Sequence, residues 1–297
     1  MTKVAVVAHA GKTVGGGLPE LRTELARRGV ERPLWYEVPK SKKVPKRVQE
    51  ALAAGAELVI AWGGDGTVQR CIDVMAGSDA KLAVIPAGTA NLFASNLGIP
   101  SDIADAVNIG LHGATRTIDV GKMKGERFGV MAGAGLDARM IRDADGTLKD
   151  RLGRLAYVWT GLKGARSSTF GAKIEVDGYP WYEGEASLVL AGNLGKLFAG
   201  VEVFEDARPD DGQLELGIVR ADGLVEWART VARAAVGTPS ESPFVHQTRA
   251  STVRAELDRK VLYELDGGER EPVKRFRIEV EPGAIAVRVP EQTENGK

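Results

Sequence analysis

The sequence predicts a two-domain protein of class α/β plus β. Its N-terminal part reads as a parallel sheet covered by helices, and the part after about residue 122 as a mostly antiparallel β domain. Three observations predict this. Short apolar runs alternate with helical patterns through the first 120 residues. Strand-like segments separated by Asp-Gly turns then follow one another. The 297 residues also amount to about two average domains.

The elements can be justified in order. Lys3 to Ala8 and Leu34 to Val38 are apolar enough for buried strands. Between them Leu18 to Arg28 carries apolar residues at helical spacing, with Gly29 placed to end the helix. Val44 to Gly55 predicts a helix, Glu57 to Trp62 a strand, Val68 to Met75 a helix, Lys81 to Ile85 a strand, and Leu92, Phe93 and Leu97 mark a further helical run. Past residue 120, Lys173 to Val176, Ala186 to Ala191, Leu214 to Val219, Thr252 to Leu257, Val261 to Leu265, Arg275 to Val280 and Ala284 to Val289 are strand-like. The one helical stretch expected there is Leu148 to Arg166. Asp177-Gly178, Asp211-Gly212 and Asp266-Gly267 supply turns, and the chain is expected to fray from Glu291.

Composition excludes several classes. No apolar run reaches the roughly 18 to 20 residues of a membrane-spanning helix. Met1 to Ala8 reads as a strand rather than a signal peptide, so a cytoplasmic protein is expected. Forty Lys and Arg balance forty Asp and Glu, and a net charge of zero gives no general attraction for nucleic acid or anionic membranes. Cys71 is the sole cysteine, and His9, His112 and His246 fit no zinc spacing. Glycine is over-represented: 37 of 297 residues is about 12%, against an average near 7%.

The glycines point to a site. Gly63-Gly64-Asp65-Gly66-Thr67 follows a strand and opens a helix. Three glycines around a carboxylate let backbone amides approach phosphate oxygens at a helix N-terminus, although an Asp capping the next helix is the plainer alternative. Pro86-Ala87-Gly88-Thr89-Ala90-Asn91 repeats the arrangement after the next strand. Two such loops at strand ends of one parallel sheet describe a crevice for nucleotide phosphates.

Other signatures fail. Gly11-Lys12-Thr13 resembles the end of a P-loop, but the pattern's first glycine falls on Val6. Gly133 to Ala138 matches a loose dinucleotide pattern outside any βαβ context. G-x-S-x-G and H-E-x-x-H are absent. Lys40 to Arg47 reads as a solvated loop and helix start, with anionic headgroups as the alternative. Leu148 to Arg166 carries an apolar stripe ringed by Lys149, Arg151, Arg154, Lys163 and Arg166. Such a stripe usually packs on its own sheet, but it could also rest on a membrane surface.

With these residues in view, the sequence resembles the diacylglycerol kinase catalytic-domain family, the lipid kinases that include sphingosine and ceramide kinases. The resemblance rests on GGDGT at 63–67, PAGTANLFASNLGIP at 86–100, G-x-G-x-D-A at 133–138, Pro209-Asp210-Asp211-Gly212 and Leu265-Asp266-Gly267. It covers nearly the whole chain. It implies a phosphofructokinase-like nucleotide-binding α/β domain over 1–122, a β-sandwich lipid domain over 123–274, and last strands, about 275–290, that return to the first domain. It further implies ATP and Mg²⁺ in the cleft between the domains. Asp65 would be the leading catalytic carboxylate, with Lys12, Gly63, Gly64, Gly66, Thr67, Gly88, Thr89 and Asn91 around the nucleotide. Asp210 and Asp211 would hold a structural magnesium ion.

The sequence also departs from the family's pattern. Strand one lacks the usual N-P, Leu92 stands where N-D would place a carboxylate, and Gly268 interrupts D-G-E, leaving Glu269 as the second catalytic candidate with a one-residue shift. The expected function is transfer of the γ-phosphate of ATP to a lipid hydroxyl, diacylglycerol giving phosphatidic acid. An NAD kinase, which shares GGDGT, and a non-catalytic nucleotide or lipid sensor are the alternatives. The expected partner is a lipid substrate met by peripheral, reversible contact with a membrane surface, and a homodimer is left open.

Overall fold

The computed structural model describes residues 2–135, 169–196, 202–222, 224–235 and 238–291. The chain divides into two compact units, Met1–Val120 with Pro282–Lys297, and Gly121–Glu281. Leu148 to Arg166 and the end of the Gly133 to Ala138 element lie outside the described residues.

The first unit begins β1 (Val4–His9), α1 (Gly17–Arg27), β2 (Leu34–Val38), α2 (Val44–Ala53), β3 (Leu58–Gly63), α3 (Asp65–Met75) and β4 (Lys81–Pro86). It continues with α4 (Leu92–Asn96), α5 (Ile103–His112) and most of β5 (Ala114–Met123). The strands pair in parallel in the order β2-β1-β3-β4. Both faces of such a sheet are covered, so its strands need apolar residues at successive positions. Val6, Val7, Val59, Ile60, Leu82 and Ile85 are accordingly fully buried, each contributing about 1.5–3 kcal/mol. α1 ends as its sequence dictates. Gly29 adopts φ +83°, its N–H donates to the Ala26 carbonyl, and the Val30 N–H donates to that of Leu25, closing the helix with a left-handed residue.

Sequence reasoning did not name α5. Its start is nonetheless written in the chain, because the Asp102 carboxylate accepts from the Asp105 N–H at 2.9 Å. α5 reaches the sheet closely, since a Cβ on Gly110 would stand 3.0 Å from that of Ala83.

The second unit contains β6 (Glu126–Phe128), β7 (Met131–Ala134), β8 (Phe170–Val176), β9 (Tyr179–Ala186), β10 (Leu188–Gly192) and β11 (Leu214–Val219). After them come a helix, Leu224–Ala235, then β12 (Val245–Ala250), β13 (Thr252–Leu265) and β14 (Gly268–Val289), whose last residues belong to the first unit. Pairing is antiparallel, in the order β12-β11-β10-β7-β13.

Three expectations are corrected here. The helix Leu224–Ala235 interrupts the run of strands. Thr252 to Leu257 and Val261 to Leu265 form one strand, not two, with register shifts between Glu256 and Tyr263. That irregularity has a purpose: the first half of β13 pairs with β8 and the second half with β7, as a strand feeding two sheets of a sandwich does. The segments expected at Arg275 to Val280 and Ala284 to Val289 are likewise one strand, running through Pro282-Gly283. The turn signal is absorbed because Gly283, at φ +58°, donates its N–H to Asp119 Oδ1 at 2.7 Å. Beyond that point Ala286 and Val287 pair in parallel with Lys81 and Leu82 of β4.

Alternate residues of the two sheet regions fill the sandwich core. Phe170, Ala172 and Ile174 of β8, Val253, Ala255 and Leu257 of β13, and Leu214, Leu216 and Ile218 of β11 pack into one cluster with Phe276 and Ile278 of β14.

Candidate active site

Register brings the ends of three parallel strands level. Ala8 pairs with Trp62, and Gly63 pairs with Pro86. The loops after β1, β3 and β4 therefore leave the same carboxyl edge, where ligands bind in open α/β sheets. Lys12 lies in the first loop and is exposed. Its carbonyl accepts from Nε1 of the buried Trp62 at 3.1 Å, which ties that loop to β3.

The second and third loops meet backbone to backbone. A Cβ on Gly64 would lie 2.9 Å from the Gly88 Cα, and one on Gly88 would lie 2.5 Å from the Gly64 Cα and 2.6 Å from Asn91 Oδ1. No side chain fits at either position without parting the loops. Asn91, at φ +49°, holds the third loop closed: its Oδ1 accepts from the Gly88 N–H at 2.8 Å and its Nδ2 donates to the Gly88 carbonyl at 3.0 Å.

Asp65 joins the two loops. As the first residue of α3 it sits at a helix N-terminus, and its Oδ1 accepts from the Phe93 N–H at 3.3 Å. Burial pushes its pKa up, and the backbone N–H groups of Phe93, Leu92, Asp65 itself and Asn91 oppose that shift. The helix-capping alternative thus takes an unexpected form, in which the carboxylate of the first residue of α3 also serves the start of α4.

Thr67 is buried beneath the loop. A Cβ on Gly63 would meet its Oγ1 at 2.5 Å, and that hydroxyl lies 3.3 Å from Ser41 Oγ. Gly66 and Thr89 are exposed. Lys12, Gly63, Gly64, Asp65, Gly66, Thr67, Gly88, Thr89 and Asn91 are all brought to this one edge, with Thr67 and the Asn91 side chain as its internal braces.

The remaining predicted residues, Asp210, Asp211 and Glu269, belong to the second unit. Asp210 and Asp211 precede β11, where Asp211 Oδ1 accepts from the Gln213 N–H at 3.1 Å and Oδ2 lies 3.9 Å from Arg249 Nη1. Glu269 is exposed near the start of β14. Among the described residues, no group of three or more His, Cys, Asp or Glu side chains converges as metal ligands. Asp65 offers a single carboxylate, which suits Mg²⁺ arriving with a nucleotide, because that ion commonly takes one or two carboxylates and substrate phosphates.

Two carboxylates were given no place in the site by the sequence, although Asp266 was read as part of a turn. Asp266 accepts three backbone bonds, from Gly129 N at 2.8 Å and from Val130 N and Met131 N at 2.9 Å each, so the late Asp-Gly turn clamps β7 in place. Glu264, two residues earlier, is 2% exposed. Burial, reinforced by the charges of Asp266 and Glu269, pushes its pKa up to about 7. The available signal was one acidic residue inside the otherwise apolar run Val261 to Leu265.

Comparison with known proteins places this geometry. Residues 4–123 match the diacylglycerol kinase catalytic domain, and residues 130–289 match the YegS C-terminal NAD kinase beta sandwich-like domain. The chain is 34% identical to a Pseudomonas aeruginosa protein named "Probable lipid kinase YegS-like", over 97% of this chain and 94% of that one. It is also 34% identical to the Bacillus subtilis diacylglycerol kinase, over 74% of this chain and 73% of that one. Its fold superposes on a diacylglycerol kinase structure from Bacillus anthracis with a TM-score of 0.74, at 23% identity and over 97% and 96% of the two chains. An Archaeoglobus fulgidus NAD kinase shares the fold more distantly, with a TM-score of 0.54 at 10% identity over 97% and 93% of the two chains. The chain, with its glycine loops locked around Asp65, belongs to the diacylglycerol kinase catalytic-domain family of lipid kinases and is an ATP-dependent phosphotransferase.

Proposed function

We propose that this lipid kinase uses MgATP and that its acceptor is the primary hydroxyl of a diacylglycerol, giving phosphatidic acid. The observation that carries the reading is the contact between Gly64 and Gly88, which fixes two amide-rich loops on either side of the Asp65 carboxylate. Phosphoryl transfer demands little covalent chemistry from a protein. It needs the γ-phosphate held in line with a hydroxyl, its charge offset, and a path for one proton.

Each residue then has a task. Backbone amides of the Gly63–Thr67 and Gly88–Asn91 segments would meet the phosphates of a bound nucleotide, and Lys12 would add a positive charge from the β1 loop. Asp65 would hold Mg²⁺, which when bound would supply charge neutralisation. Leu92 follows Asn91 and is buried, so this chain contributes no second carboxylate there. Asp210 and Asp211 remain candidates for a structural magnesium ion in the second unit.

No described helix is long and apolar enough to cross a membrane, so access to a bilayer lipid calls for reversible surface contact. The B. subtilis relative's activity supports diacylglycerol over NAD as acceptor. Transfer of label from γ-labelled ATP to diacylglycerol, sphingosine, ceramide, monoacylglycerol and NAD tests the assignment. Label is expected in diacylglycerol. Asp65→Asn should lose about 10²–10⁴-fold in kcat, the range for removing a charged group aimed at the transition state, while keeping its fold. Label in NAD, or undiminished turnover by the variant, would overturn the reading.

A further inference from the structure

We propose that Lys40, Lys42, Lys43 and Lys46 form a docking surface for anionic bilayers, an inference that rests on the lipid-kinase reading above for its choice of partner. The segment from Pro39 to Arg47 carries five cations and no anion, in a chain whose charges balance to zero. The four lysines are exposed and, among the described residues, none of them has an acid as partner. Arg47 differs, because its Nη1 donates to Glu50 Oε2 at 2.6 Å and its guanidinium lies 5.9 Å from the Tyr36 ring. Cations on other surfaces of the molecule are paired in the same way, Arg22 with Glu37, Lys173 with Glu183 and Arg275 with Glu256. The lysines thus stand as a local excess of positive charge that the chain itself does not neutralise.

The backbone holds this excess in a fixed shape. Ser41–Lys43 form a short 3₁₀ turn, closed by the Lys43 N–H donating to the Lys40 carbonyl at 2.9 Å, and α2 follows at once with Val44 and Val48 buried. Lysines are poorly suited to this place on local grounds. The start of a helix favours acids, because the unpaired backbone N–H groups there carry positive charge. Yet α2 has no acid in its first turn, and Lys43 stands at its cap without a side-chain hydrogen bond. A local preference given up on an exposed surface points to a use outside the chain.

Position within the first unit supplies that use. β2 ends level with β1, since Val38 pairs with His9 and its carbonyl accepts from the Ala10 N–H at 2.9 Å. The lysines therefore follow the same carboxyl edge of the sheet as the glycine loops, and Ser41 Oγ, 3.3 Å from Thr67 Oγ1, ties their turn to the loop of Asp65. Attraction to anionic headgroups at this edge keeps the loops beside the bilayer that carries a lipid acceptor. Clusters of four to eight Lys and Arg attract anionic lipids in this way, and the attraction fades within a Debye length of about 8 Å at physiological salt, which makes it reversible. RNA is the less suited polyanion, because Pro39 to Arg47 contains no aromatic side chain on which a base could stack.

The test measures co-sedimentation of the full chain, without ATP, with vesicles of phosphatidylcholine alone and of phosphatidylcholine mixed with phosphatidylglycerol. Wild type is compared with a variant carrying Lys40→Gln, Lys42→Gln, Lys43→Gln and Lys46→Gln together, and with a second carrying Arg at the same four positions. A control replaces Lys3, Lys124, Lys260 and Lys274, which are exposed elsewhere, by Gln. Wild type should prefer the mixed vesicles and let go of them as salt rises. Each clustered lysine removed should cost about fivefold in partitioning, so the Gln variant should lose at least about 100-fold, with the Arg variant and the control within about threefold of wild type. Its phosphorylation of dioleoylglycerol in mixed vesicles should fall with binding, while turnover of dispersed dihexanoylglycerol and KM for ATP stay within about twofold. Equal binding by wild type and the Gln variant, an equal loss in the control, or tighter binding of a single-stranded RNA than of mixed vesicles would overturn the docking surface. A Gln variant with raised KM for ATP on dihexanoylglycerol would overturn it too, because the lysines would then serve the nucleotide. A wild type that labels no lipid, yet binds mixed vesicles through these lysines, would sink the acceptor reading and leave the docking surface standing.

Discussion

Asp65 and Glu264 are both acids drawn out of water, yet the first unit meets one with backbone amides and the second meets the other with more negative charge. Around Asp65, burial raises the pKa and the N–H groups at the start of α4 oppose that shift. Around Glu264, burial and the charges of Asp266 and Glu269 act in the same direction, so the group changes protonation near neutrality. Identical chemistry in two settings meets opposite surroundings, amides that favour the anion in one and charges that oppose it in the other. Asp266 shows a third outcome, an acid consumed by structure.

Substitutions can break this contrast, the largest stability effect first. Asp266→Ala would leave the Gly129, Val130 and Met131 N–H groups without their acceptor. With about 1–3 kcal/mol for each unsatisfied buried donor, a loss of at least about 3 kcal/mol is expected in urea unfolding, and a loss below about 1 kcal/mol would mean that the clamp is idle.

Glu264→Gln should act in the opposite direction. A carboxyl group whose folded pKa is raised from 4.5 to about 7 gives its full stability below the unfolded value and loses it as pH rises through 7. That loss amounts to about 3 kcal/mol above pH 7. The glutamine variant, which does not titrate, should therefore melt higher than wild type at pH 8 and level with it near pH 4. A variant destabilised at pH 8 would point to a missed partner.

A smaller effect is expected at the loop contact. Gly88→Ala places a methyl group 2.5 Å from the Gly64 Cα, which should cost about 1–3 kcal/mol as overpacking does. It should also raise KM for ATP more than it lowers stability. Isothermal titration with a non-hydrolysable ATP analogue checks this, and unchanged affinity would show that the loops need not touch.

Much of the first unit was legible because its signals are local. Buried parallel strands announce themselves as unbroken apolar runs, and the glycines of 63–67 and 86–91 state where backbone must come close. The second unit was harder to read. Asp258-Arg259-Lys260 and Pro282-Gly283 have the composition of turns, but β13 bends through the first and β14 runs through the second, its freed N–H captured by Asp119. Ahead of the helix Leu224–Ala235 the Asp222 N–H donates to Glu226 Oε2 at 2.7 Å, a signal legible only to a reader expecting a helix among strands. Glu264 could not be assigned in the sequence at all. Its setting depends on which face it takes and on Gly133 and Leu190 arriving from two other strands, and no linear motif encodes that.

The most direct measurement remains label transfer from γ-labelled ATP to dioleoylglycerol vesicles, with NAD in a parallel reaction and Asp65→Asn alongside. Label in the lipid, absent from NAD and reduced at least about 100-fold in the variant, is the expected result. Label in NAD, or equal labelling of the lipid by wild type and Asp65→Asn, would contradict the assignment of this loop edge as the site of lipid phosphorylation.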